Sequence, residues 1–116
     1  MSTHEPPPVR TTGRIQADQI TAALTRAPFT YVDGATQIFT PDGRTSYVEN
    51  GMTTFGEWGV TDRGRFWSFW PPSYRAEYDV FGIADSDADD VVGLRFIDLA
   101  HGSSSDGRYA PRHEGP

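Results

Sequence analysis

Two kinds of spacing divide the chain. Ala17, Ile20, Leu24 and Ala27 recur at steps of three and four, which puts them on one face of a helix. Gln16, Asp18, Gln19 and Thr21 fall mostly elsewhere. Asp18 suits the positive end of the helix dipole. Pro28 ends the pattern, because the residue before a proline disfavours helical geometry. A helix this short is not stable alone and must lie on something.

After Pro28 the period changes. Turn signals follow at short intervals: Asp33-Gly34, Pro41-Asp42-Gly43, Asn50-Gly51, Asp62-Arg63-Gly64 and Pro71-Pro72. The stretches between them are rich in Thr, Val, Ile, Phe, Tyr and Trp, as in antiparallel hairpins. Strands are expected near 29–33, 36–40, 44–50, 52–60, 64–70, 74–84 and 91–99. The links are too short for parallel crossovers. The fold class is therefore mainly β: an antiparallel up-and-down meander with one short N-terminal helix. It either closes into a small barrel, which removes the edges, or forms a half-barrel with the helix plugging one end. Residues 1–13 and 101–116 carry little apolar surface and read as tails, leaving one domain over 14–100.

Composition narrows the function by exclusion. The chain has 116 residues and a net charge of −6, which argues against nucleic acid, since phosphate binding needs an excess of basic residues. It has no cysteine, and all ten basic residues are arginine. Thiol nucleophiles, disulfides and lysine Schiff bases are thereby excluded. No apolar run approaches the roughly 18 residues of a membrane span.

Aromatic density is the most informative feature. Nine of the fifteen aromatic residues lie between Phe55 and Phe81. Along 64–70, Trp67 and Phe69 point one way while Phe66 and Trp70 point the other. Both faces of that strand are bulky, so something covers each. The candidates are the helix and the barrel core, a second subunit, or a ligand cavity lined by the rings. Trp58, Trp67, Phe69, Trp70 and Tyr78 are the candidate ligand-binding residues. The candidate acids and bases are Tyr47, Glu49, Glu57 and Tyr78. Tyr78 shares a face with Ala76, Val80 and Gly82, opposite Arg75, Glu77 and Asp79. Glu57 lies outside if Trp58 points inward. Were Glu57 inside, burial would raise its pKa towards a useful acid–base range.

Other motifs are weak. The stretch from Asp85 to Asp90 lacks the glycine and the glutamate of a calcium loop. Ser103, His101 and Asp98 crowd one strand end, where a catalytic triad rarely converges. No metal site and no cofactor is expected.

The order of parts resembles small bacterial lipocalin-like (calycin-type) domains. The residues that carry the resemblance are the short helix with Gln16-Ala17-Asp18-Gln19-Ile20, then Ile38-Phe39-Thr40-Pro41-Asp42-Gly43. Gly56-Glu57-Trp58-Gly59-Val60, Gly64-Arg65-Phe66-Trp67 and a Trp70-Pro71-Pro72 corner follow. The resemblance covers roughly residues 15 to 84 and implies a cup-shaped barrel; it carries over no catalytic residues. Some relatives hold a cysteine pair around the next hairpin, where this chain has Trp67-Ser68 and Arg75-Ala76. That departure implies a cytoplasmic version.

Two functions fit. One is non-catalytic binding of an apolar or aromatic small molecule, with no nucleic acid and no membrane as partner, by a barrel that forms a homodimer. The other is a cofactor-free isomerase, cyclase or hydratase using a buried acid or base in the same cavity. A register shift of one residue exchanges which side chains face inward, and with them the two answers.

Overall fold

The computed structural model describes residues 9–85 and 90–110. Nine strands and one helix follow in the order β1 (Val9–Arg14), α1 (Ala17–Thr25), β2 (Phe29–Tyr31), β3 (Thr36–Thr40), β4 (Arg44–Glu49), β5 (Met52–Val60), β6 (Phe66–Trp70), β7 (Tyr74–Asp85), β8 (Gly93–Asp98) and β9 (Ser104–Tyr109). Strands β2 to β7 pair each with the next, all antiparallel. β7 pairs with β8, β8 with β9, and β9 returns to β2. The sheet is thus a closed barrel of eight strands, and closure leaves no edge among them.

β1 is the ninth strand. It pairs with the second half of β7, from Val9↔Asp85 to Arg14↔Phe81, while the first half of β7 pairs with β6.

The expected tails are shorter than the sequence suggests. Residues 9–14 and 104–109 are strands, and only 1–8 and 111–116 of those segments lie outside the described residues. β1 is almost wholly exposed. The backbone ladder holds it, so it needs no apolar alternation. The inward position Gly107 on β9 lies under Phe29 and Tyr31, where a Cβ would come within 3.0 Å of each ring. β9 closes the barrel with backbone rather than with a hydrophobic stripe. Residues 86–89, within the acidic stretch, also lie outside the described residues.

Alternation along each strand sorts the side chains. Phe29, Phe39, Trp58, Phe66, Val80 and Leu94 face inward and are buried. Phe39 is the hub, with ring centroids 5.8 Å from Phe29, 5.8 Å from Trp58 and 5.5 Å from Phe66. Helix α1 closes this end: Ile20 and Leu24, one turn apart, are fully buried against the cluster. Each such burial contributes about 1.5–3 kcal/mol. The Tyr109 hydroxyl donates to Ala23 O at 2.6 Å and ties β9 to the helix.

The outer face of β6 explains one half of the two-faced aromatic strand. Trp67 lies across Gly59, where any Cβ would meet its indole at 2.6 Å. The Arg75 guanidinium sits 5.2 Å from its ring centroid on the other side. Trp67 is thereby partly covered within the chain itself. The charged trio of β7 stays outside and is paired: Arg75 with Glu77 at 2.9 Å, and Asp79 with Arg14 at 3.2 Å and Arg65 at 3.4 Å. Among the described residues, no helix is long and apolar enough to cross a membrane.

Candidate functional site

The inward faces change character along the barrel. Moving away from α1, Phe29 gives way to Tyr31 on β2 and Phe39 to Gln37 on β3. On β6, Phe66 gives way to Ser68 and Trp70, and on β7 Val80 gives way to Tyr78. The tightly packed end therefore opens into a cavity of about 820 Å³, within the size range of small-molecule sites.

Seven aromatic residues contribute to its lining. Tyr47 stands between Tyr31, at 6.0 Å between centroids, and Trp70, at 6.2 Å. Trp70 holds its place because Gly56 lies beneath it: a Cβ there would strike the indole and Phe69 O, each at 2.6 Å. The floor is Phe66, stacked on Tyr78 at 5.2 Å and 5.6 Å from Phe96.

Polar groups converge among these rings. The Tyr31 hydroxyl donates to Gln37 Oε1 at 2.6 Å. Gln37 Nε2 donates to Thr45 Oγ1 at 2.9 Å, and the Thr45 hydroxyl donates to Ile38 O at 2.8 Å. This relay fixes the direction of every proton in it and satisfies the buried amide. Burial, followed by the fields of Tyr47, Tyr78 and Asp33, holds the Tyr31 phenol well above its ordinary pKa. Burial likewise raises Tyr47, helped by Asp33 and Glu49. Tyr78 is raised first by burial. Ser68 beside it pulls the other way, and Tyr74 and Asp98 push up. All three phenols are therefore neutral near pH 7.

Ser68 differs from the rest. It is 2% exposed and lines the cavity floor. Its hydroxyl lies near enough to Tyr78 to affect that phenol, yet it makes no well-formed hydrogen bond to it or to any other described residue. An unsatisfied buried hydroxyl costs about 1–3 kcal/mol.

The structure gathers some of the sequence candidates and disperses others. Tyr47, Glu49, Trp70 and Tyr78 line the cavity, with Glu49 exposed at its mouth. Trp58 points inward but belongs to the packed end, where its Nε1 donates to Thr40 O and Arg44 O, each at 3.0 Å. Trp67 and Phe69 are on the outer face, and Phe69 pairs in register with Glu57 and Arg75. Glu57 is exposed and outside the barrel, as expected once Trp58 points inward. Three of the proposed ligand-binding residues, Trp58, Trp67 and Phe69, are therefore not in the cavity wall, and neither is the candidate acid Glu57. Alternation alone does not tell which end of an inward face is filled.

Tyr31, Gln37, Asp33 and Ser68 are cavity residues that the sequence reading missed. Ser68 was within reach of it, because it alternates with Phe66 and Trp70 on a face already assigned.

Asp98 and His101 form a turn rather than a catalytic pair. Asp98 Oδ1 accepts from the backbone N–H groups of Ala100 at 2.8 Å and His101 at 3.3 Å, and Oδ2 lies 3.3 Å from His101 Nδ1. The Ala100 N–H, followed by His101, holds the Asp98 carboxyl below its ordinary pKa. No three metal-ligating side chains converge among the described residues.

No known protein family, curated protein or solved structure matches this chain.

Proposed function

We propose that the barrel binds a small apolar or aromatic molecule in its open half, in the manner of a small lipocalin-like cup. The observation that carries this reading is the Ser68 hydroxyl, buried without a well-formed hydrogen bond among the described residues on the floor of a cavity rich in aromatic rings. A ligand with one hydrogen-bonding end offers Ser68 a better partner than Tyr78 does, while its body lies against Tyr31, Tyr47 and Trp70. Apolar walls provide most of the affinity and a few placed polar groups fix orientation. Neutral phenols suit this role better than proton abstraction, since a base near pH 7 needs a pKa near 7.

The test is tryptophan fluorescence against a panel of aromatic alcohols, ketones and amines. Saturable quenching is expected, retained in Trp67→Phe and lost in Trp70→Phe. Ser68→Ala should keep binding of ring compounds that lack a polar group and weaken binding of their hydroxyl or carbonyl counterparts. Absence of quenching by every compound would overturn the reading.

A further inference from the structure

Resting on that reading, we propose that the ligand is an organic cation, an aryl- or alkyl-ammonium ion. Its charged end would lie at the cavity mouth among Tyr31, Tyr47 and Trp70, facing Asp33 and Glu49. Three observations, none of which concerns Ser68, point the same way.

The first is the sign of the lining. Asp33, Glu49 and Asp106 border the cavity, while no arginine or histidine does so among the described residues. The chain holds no lysine at all. Asp106 is neutralised by Arg95, which meets it with two bonds of 2.7 and 3.0 Å. Among the described residues, Asp33 and Glu49 have no such arginine. Asp33 accepts the Ala35 N–H at 3.0 Å within the β2–β3 turn, which leaves its charge in place. Both carboxylates act on the Tyr47 phenol, raising its pKa, so their field reaches the ring wall.

The second is the kind of wall. Three electron-rich rings follow one another around the mouth, Tyr31 to Tyr47 at 6.0 Å and Tyr47 to Trp70 at 6.2 Å. Tyr and Trp faces attract an ammonium within about 6 Å of the ring centroid, the more so where water is partly excluded. An anion would meet the negative faces of the same rings and two carboxylates.

The third is the whole molecule. A net charge of −6 raises the local concentration of cations and speeds their capture.

Three probes of one shape test this: 2-phenylethylammonium, 2-phenylethanol and 3-phenylpropionate, titrated calorimetrically into the full chain at pH 7 in low salt. The ammonium should bind about tenfold more tightly than the alcohol, with the carboxylate weakest. That ratio should shrink at high salt and collapse towards one in the double variant Asp33→Asn, Glu49→Gln. Asparagine keeps the acceptor for the Ala35 N–H, and Glu49 is exposed, so the variant is expected to fold; circular dichroism and a thermal melt check that. Equal binding of ammonium and alcohol, or tightest binding of the carboxylate, would overturn the cation while leaving the cavity reading intact. If none of the three binds, the cation is overturned as well, and the fluorescence panel decides separately whether the cavity binds anything.

Discussion

The two ends of the barrel are built from the same strands facing the same way, yet they solve opposite problems. At the α1 end, Phe29, Phe39, Trp58, Phe66 and Leu94 fill the interior, and the one polar atom among them, Trp58 Nε1, has two carbonyl partners. At the other end, Tyr31, Gln37, Tyr47, Ser68 and Tyr78 surround open space, and the Ser68 hydroxyl makes no well-formed hydrogen bond among the described residues. Packing that excludes water stabilises the first. The second gives up that contribution and holds rings and polar groups apart. A barrel of this size can be filled by its own side chains. Leaving half of it open is therefore a property of this sequence, not of the architecture.

The largest expected contrast between the ends is in stability. Trp58→Ala should cost about 3–5 kcal/mol, read by urea denaturation. Trp70→Ala should cost clearly less, because its ring borders open space, while removing the ligand response. Equal losses would mean that the open end is packed in solution.

Gly56→Ala probes the boundary between the two. The new methyl group meets backbone at Phe69 O as well as the Trp70 ring, so the strands must shift. A loss of about 1–3 kcal/mol is expected, together with altered ligand quenching as Trp70 moves. Unchanged stability would show that Trp70 does not lie over Gly56.

Ser68→Ala has the smallest effect and the most unusual sign for a fully buried polar residue. Removing an unsatisfied hydroxyl should leave stability unchanged or raise it by up to about 1 kcal/mol. A loss above about 1 kcal/mol would show that Ser68 has a structural partner.

The pH limits separate two groups at the open end. Folding raises the Tyr31 phenol above its ordinary value of 10.0. Its contribution is fully present below pH 10 and is lost as pH rises towards the folded value. Phenolate absorbance of the folded protein should therefore lag behind that of the urea-unfolded chain above pH 10. Asp98 runs the other way. Its folded pKa lies below the ordinary 3.8, so its contribution is present above that pH and is lost as pH falls below it. Asp98→Asn should flatten the acid limb of a thermal-stability profile and leave the alkaline limb alone.

Much of the barrel was legible because its hairpins carry local signals. Pro41-Asp42-Gly43 and Asn50-Gly51 mark turns between strands that alternate regularly, and β3 to β8 fall close to where those signals put them. β1 and β9 were not legible. One is an exposed strand held by its ladder, and the other has a glycine where an inward side chain was sought. The helix was legible from Ile20 and Leu24, though it ends at Thr25, before Ala27 and Pro28.

The site was legible in part. Period two correctly separated Trp70 from Trp67 and Tyr78 from Glu77. Whether an inward ring is core or cavity wall depends on what stands across the barrel. Trp58 meets Phe39 and Phe66, whereas Trp70 meets Tyr47 and open space. That is a long-range property which no local pattern contains.

The three tryptophans sit in three different places, and one measurement uses all of them. Each indole N–H gives its own resonance in a nitrogen–proton correlation spectrum, assignable by Trp58→Phe, Trp67→Phe and Trp70→Phe. During titration with a ligand from the fluorescence panel, the Trp70 signal should shift saturably. Trp58, bonded to two carbonyls at the packed end, and Trp67, on the outer face over Gly59, should stay where they are. A saturable shift of Trp67 with Trp70 unmoved would place binding on the outside of the sheet and contradict the open barrel end as the ligand site.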